Sequence, residues 1–145
     1  MRDDAPTESN LSPLLATGFA VRGVPRALLR LEGLAALTVA VAGYRLLDGS
    51  WGWFAALFLV PDLSMLGYLA GARIGSICYN TAHSYLGAAL LGAAAYALHS
   101  SLAGQLAFIW CAHVSFDRAL GYGLKYASAF TDTHLGLIGR AARAG

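Results

Sequence analysis

At 145 residues, 57% of them hydrophobic and only 12% charged, the chain is too apolar and too poor in surface charge for an ordinary soluble domain. A formal net charge of +2 with no basic stripe speaks against a nucleic-acid partner and for contact with a lipid bilayer. Apolar stretches nearly fill the sequence and leave no room for a soluble catalytic domain, so any activity has to sit among membrane helices.

Residues 1–24 open with "MRDDAPTESNLSP", which mixes charge with Pro and Ser and has no hydrophobic period; they read as a flexible cytoplasmic tail. A cleaved signal peptide is not expected, because the first long apolar run begins only after Pro25. Pro25 itself suits a helix start, where its missing N–H is among those left unpaired anyway.

Residues 25–145 then read as a single membrane domain with four spans, 27–47, 51–71, 74–98 and 104–126, each near the 20 or so residues needed to cross roughly 30 Å of hydrocarbon. The first span carries Glu32 about a turn or more inside its start. The second contains "VPDLS", in which Pro61 frees the Leu57 carbonyl and bends the helix beside Asp62 and Ser64. Broken backbone at membrane depth is tolerated where it lines a cavity or is buried in protein. Gly67, Gly71 and Gly75, four apart, predict a tight antiparallel hairpin between the second and third spans.

The third span carries Cys78, Tyr79, Asn80, His83 and Ser84, and the fourth carries Cys111 and "HVSFDRALGYGLKY". His113 and Asp117 are four residues apart and share a helical face. Lys125 and Tyr126 are expected to snorkel to the interface, and His99 to sit in an exposed loop. The two cysteines fall at different depths, so no disulfide is expected. In the tail, Thr131 or Asp132 would cap a short interfacial helix with Leu135, Ile138 and Ala142 on one face and Arg140 and Arg143 on another; His134 is then a first-turn surface residue able to cover a pocket mouth. The fold class is all-α: a four-helix transmembrane bundle with a short C-terminal interfacial helix.

Arg22, Arg26, Arg30, Arg73, Lys125, Arg140 and Arg143 fall on one side and Arg45 on the other, which predicts both termini in the cytoplasm. Tyr44, Trp51 and Trp53 mark the outer interface. Counting inward from the span ends, Asp62, His83 and Asp117 all lie about 14 Å from the cytoplasmic boundary at 1.5 Å per residue. An ionised group in hydrocarbon costs roughly 2.5–3.5 kcal/mol on insertion scales, so these residues must face one another or a cavity. Asp117, Arg118 and His113 could form a packing network, but three carboxylates and two histidines in one half of a bundle exceed what packing needs.

"PDLSMLGYLAG", "YNTAHSY", "HVSFDRALGYGLKY" and "THLGLIG", in this order and spacing, resemble a family of small bacterial four-helix membrane proteins catalogued as a domain of unknown function. The resemblance covers most of the chain from "LRLEGLAAL" onward and implies an integral membrane protein, without supplying a reaction.

The leading functional expectation is an enzyme without cofactor that cyclises or isomerises a lipophilic small molecule by acid–base chemistry. Asp62 or Asp117 would be the acid and His83 or His113 the base, with Glu32 as a third carboxylate; Tyr79, Asn80, Ser64, Arg118 and Tyr122 would hold substrate. The alternative is a metal-dependent membrane hydrolase with His83, His113 and Asp117 as ligands, joined by Asp62 or His134. A third expectation is a proton-linked carrier or a subunit of a membrane assembly; with so few helices a carrier would require an oligomer.

Overall fold

The computed structural model describes residues 20–138. The expected tail, apart from its last five residues, and Arg140, Ala142 and Arg143 lie outside that range. Helix α1 runs Gly23–Leu46, with Pro25 in its first turn. After a turn comes α2, Trp51–Phe58, which passes into a 3₁₀ helix, Val60–Ala70. Then follow α3, Ala72–Ala82, α4, Tyr85–Ala97, and α5, Ser101–Leu120. The described chain ends in a two-stranded antiparallel hairpin, β1 Asp132–Thr133 and β2 Gly136–Leu137. The fold is all-α with four helical rods, the second made of α2 and the 3₁₀ helix and the third of α3 and α4.

The 11-residue 3₁₀ helix is long for its kind, since such runs seldom exceed three or four residues. Pro61 explains its start: without an N–H the α-helical ladder cannot continue, and the Asp62 N–H turns to the Leu59 carbonyl at 3.1 Å. Leucines explain its continuation. At three residues per turn Leu63, Leu66 and Leu69 form one ridge, and all three are exposed, while the positions between them are partly buried.

Gly71 makes the turn into α3 at φ +107°, a conformation that favours glycine. A Cβ on Gly67 would lie 2.9 Å from the Cβ of Cys78, and one on Gly75 would strike the Tyr68 ring, so the expected glycine hairpin forms. The third rod breaks at His83 and Ser84, the latter in extended conformation. Two side chains of α5 take up the carbonyls freed there: Trp110 Nε1 donates to Ala82 O at 2.6 Å and Arg118 Nη2 to His83 O at 3.0 Å. Uncapped carbonyls at a buried helix end would each go unpaired.

α5 is the central rod, with α1 and α4 packed along it, while the 3₁₀ helix packs chiefly on α3. Small residues make these approaches possible: a Cβ on Gly33 would lie 2.7 Å from the Arg118 Cβ. The interior holds alanines, Tyr44, Tyr79, Ile109, Val114 and Leu135 together with His83, His113, Ser115 and Arg118, whereas most of the leucines and Trp51 and Trp53 are exposed. Gly23–Leu46 and Trp51–Ala70 are each long and apolar enough to cross a membrane. The third rod is interrupted at its middle, and the fourth carries Gln105, His113, Asp117 and Arg118.

Two expectations are corrected at the C-terminal end. α5 stops at Leu120 instead of reaching Tyr126, because Gly121 adopts φ +95° and closes the helix as a left-handed C-cap. The segment after it folds back, so Asp132–Leu137 is a hairpin where an interfacial helix was expected. One side chain and one backbone contact favour that course: Leu135 is fully buried, and the Val21 backbone N–H donates to the His134 carbonyl at 2.9 Å. Lys125 does not snorkel. Asn80 grips its backbone through two hydrogen bonds, 2.7 and 2.9 Å, and its buried ammonium donates to Phe130 O at 2.8 Å above the Phe130 ring.

Candidate functional site

Three rods bring four titratable side chains to one place. Asp62 comes from the first turn of the 3₁₀ helix, His83 from the break between α3 and α4, and His113 and Asp117 from successive turns of α5. His83 Nε2 lies 3.1 Å from His113 Nε2, 3.3 Å from Asp62 Oδ1 and 3.6 Å from Asp117 Oδ2. His113 Nε2 is 3.6 Å from Asp62 Oδ1. The Tyr79 hydroxyl, one turn before His83, donates to Asp117 Oδ2 at 3.1 Å.

Each group is held by its local structure. The Tyr79 and His83 rings stack at 3.7 Å with only 12° between their planes, as residues four apart on a helix can. His83 Nδ1 is 3.0 Å from the Tyr79 carbonyl oxygen. That oxygen only accepts, so Nδ1 carries a proton and, in the neutral ring, Nε2 turns a lone pair toward the cluster. His113 packs against the Phe58 ring at 5.3 Å and 70°. The imidazoles are enclosed, 0% and 2% exposed, whereas Asp62 keeps 32% of its side-chain surface and is the accessible member of the group.

Beside the cluster lies an apolar cavity of about 400 Å³, lined by Leu57, Pro61, Ser64, Ala82, Ile109 and Trp110 among others. Pro61 and Ala82, which line it, directly precede Asp62 and His83, while the four cluster residues themselves are not among its lining. The Ser64 hydroxyl is buried there without a hydrogen-bond partner among the described residues.

The remaining site expectations distribute differently. Asn80 is engaged by the Lys125 backbone, and Arg118 by the carbonyls of His83 and Tyr122, so both act on the chain itself. Tyr122 is exposed, and its carbonyl accepts from Arg118 at 2.7 Å. Glu32 stands apart from the cluster, exposed beside a cavity of about 230 Å³ that it shares with Arg118, Tyr85 and His134. His134 also lies elsewhere, accepting the Leu124 N–H on its Nδ1 at 2.8 Å. Burial, followed by the positive charge of Arg118, lowers its pKa below the usual imidazole value.

Sequence reasoning missed three contributors: Trp110 and Arg118 as caps of the broken third rod, and Lys125, whose ammonium lies 4.7 Å from the centre of the Tyr79 ring. Burial pushes the Lys125 pKa down to about 8, against the pull of the Asp117 and Asp62 carboxylates. For Trp110 the helical spacing with His113 and Asp117 was a sequence signal, since it places all three along one side of α5.

No curated protein and no solved structure matches the chain. The family model described as Domain of unknown function (DUF4260) matches residues 26–138, a stretch that contains every member of the cluster, and the chain belongs to that family.

Proposed function

We propose that this protein is a multi-pass membrane enzyme, with both termini in the cytoplasm, that performs acid–base chemistry on a lipophilic small molecule reaching Asp62 from the bilayer. One observation carries the reading: two carboxylates and two imidazoles from three rods meet at 3.1–3.6 Å, with Asp62 still accessible. Ionisable groups inside a membrane protein are costly and mark reactive or conducting sites. The exposed leucines, Trp51 and Trp53 around an interior that holds His83, His113, Ser115 and Arg118 support placing this centre within the bilayer.

Cyclisation or isomerisation requires a proton placed on one substrate atom and another removed elsewhere, with no net proton consumed. Two carboxylates joined through imidazoles suit both halves of that exchange. Asp117, which accepts from Tyr79, is suited to take a proton, and the more exposed Asp62 to meet the substrate. The apolar cavity beside Pro61 and Ala82 is suited to the substrate's hydrocarbon part.

The test is solvent-isotope incorporation. Protein in nanodiscs is incubated with a total membrane lipid extract in heavy water, and the lipids are read by mass spectrometry. One lipid class should gain deuterium over a protein-free control, and Asp117→Asn and Asp62→Asn should lose the gain while remaining folded. Equal deuterium with and without protein would overturn the reading.

A further inference from the structure

We infer that Asp62 Oδ1, His83 Nε2 and His113 Nε2 bind one divalent transition-metal ion, zinc in the first instance, with a fourth coordination position toward Asp117. This deepens the enzyme reading, on which its chemical role rests, by assigning that centre a cofactor.

The three donor atoms form a triangle with edges of 3.1, 3.3 and 3.6 Å. Ligands held about 2.0–2.1 Å from a tetrahedral zinc ion stand about 3.3–3.4 Å apart, so the triangle already has the dimensions of one coordination face. Asp117 Oδ2, 3.6 Å from His83 Nε2, stands to one side of that face.

Proton counting leads to the same place. His83 keeps its proton on Nδ1 for the Tyr79 carbonyl, so in the neutral ring its Nε2 is an acceptor facing the acceptors Asp62 Oδ1 and Asp117 Oδ2. Tyr79 supplies a donor to Asp117 alone. His113 Nε2–H could serve either His83 or Asp62, and would leave its own Nδ1 a bare acceptor, buried and without a partner among the described residues. One proton cannot satisfy these converging lone pairs, whereas one cation does so at once; the His113 proton then sits on Nδ1, which has no protein partner among the described residues in either tautomer. The carbonyl behind His83 is also the usual outer partner of a metal-bound imidazole, because it fixes the tautomer and aims Nε2.

Two imidazoles and a carboxylate, with no thiolate, suit zinc, iron(II) or manganese. With Asp62 and both imidazoles as ligands, the part of meeting the substrate would pass from Asp62 to the metal's open position, and Asp117, held by Tyr79, would be the group left to exchange a proton.

The experiment uses the full-length protein in detergent, stripped with a chelator and titrated with zinc, iron(II), manganese and cobalt(II). Expected are one zinc per chain, a rise in melting temperature on zinc addition, and the visible absorption of tetrahedral cobalt. His113→Gln, which keeps the volume and removes the imidazole, should weaken zinc binding at least tenfold; Glu32→Gln, outside the triangle, should leave it unchanged. A folded stripped protein that shows neither the cobalt band nor a thermal shift with any of the four ions overturns the inference. If such a protein still deuterates a lipid, the enzyme reading survives the loss of the metal; if metal binds and no lipid gains deuterium, the metal site stands and the enzyme reading falls.

Discussion

The second and third rods are both interrupted, yet for different reasons. At Phe58–Val60 the cause is local: Pro61 lacks a donor, and the chain continues as a 3₁₀ helix that satisfies most of its own backbone. At His83–Ser84 neither proline nor glycine is present, and the freed carbonyls are satisfied by Trp110 and Arg118 of another rod. An interruption written into one segment can form in that segment alone. One that depends on donors from a distant segment exists only once the rods are packed, and it ties the position of His83 to α5.

The sharpest way to break this contrast is Arg118→Met, which removes the donor from both His83 O and Tyr122 O. The buried His83 carbonyl left unpaired costs about 1–3 kcal/mol and the part-buried Tyr122 carbonyl less, so a total loss of about 2–4 kcal/mol is expected, read as a large drop in the denaturant midpoint in detergent. Stability within about 0.5 kcal/mol of wild type would mean that the third-rod break needs no external donor. Trp110→Phe keeps most of the ring packing and removes one donor, to Ala82 O, so a loss of about 1–3 kcal/mol is expected in the same assay.

Pro61→Ala tests the local break. Restoring the N–H permits an α-helical continuation, and the change in stability should stay within about 1 kcal/mol. Asp62 would then be swung by the altered twist, so the readout that moves is zinc affinity; an unchanged affinity would show that packing on α3, not the proline, aims Asp62.

The smallest expected effect is a pH response of the C-terminal hairpin. The folded-state pKa of His134 lies below the usual 6.5, because of burial and Arg118. As pH falls the unfolded chain is protonated first, so His134 costs no stability above about 6.5, and stability is lost progressively until the pH passes the lower folded value. Protonation also removes the acceptor of the Leu124 N–H. Hydrogen exchange at that amide should therefore accelerate, after correction for intrinsic rates, between neutral pH and pH 5, and His134→Asn should abolish the pH dependence.

Much of the candidate centre was legible because helices convert sequence number into depth. Asp62 stands nine residues before Gly71 and His83 nine after Ile74, on either side of the glycine hairpin, and His113 is one turn from Asp117. The matching count for Asp117 assumed a helix to Tyr126, whereas α5 ends at Leu120, so its place in the layer comes from the packing of α5. Depth does not give azimuth. Glu32 lies on a rod that packs along α5, yet it faces a separate cavity with Arg118 and His134. The leucines at 63, 66 and 69 were a readable period of three, overlooked because the stretch is also apolar enough for an α-helix.

The amino-acid sequence by itself determined the four apolar rods, the glycine hairpin around Gly71 and the break at Pro61, because hydrophobic length, missing side chains and a missing N–H act within a few residues. Tertiary structure decided the rest. Gly121 permitted α5 to end early, but the burial of Leu135 and Lys125 and the grip of Asn80 turned the following segment into a hairpin. The opening of the third rod at His83 likewise required Trp110 and Arg118 to arrive from α5. Such choices depend on which buried polar group meets which partner across the fold, and that pairing is set by the packing of the rods.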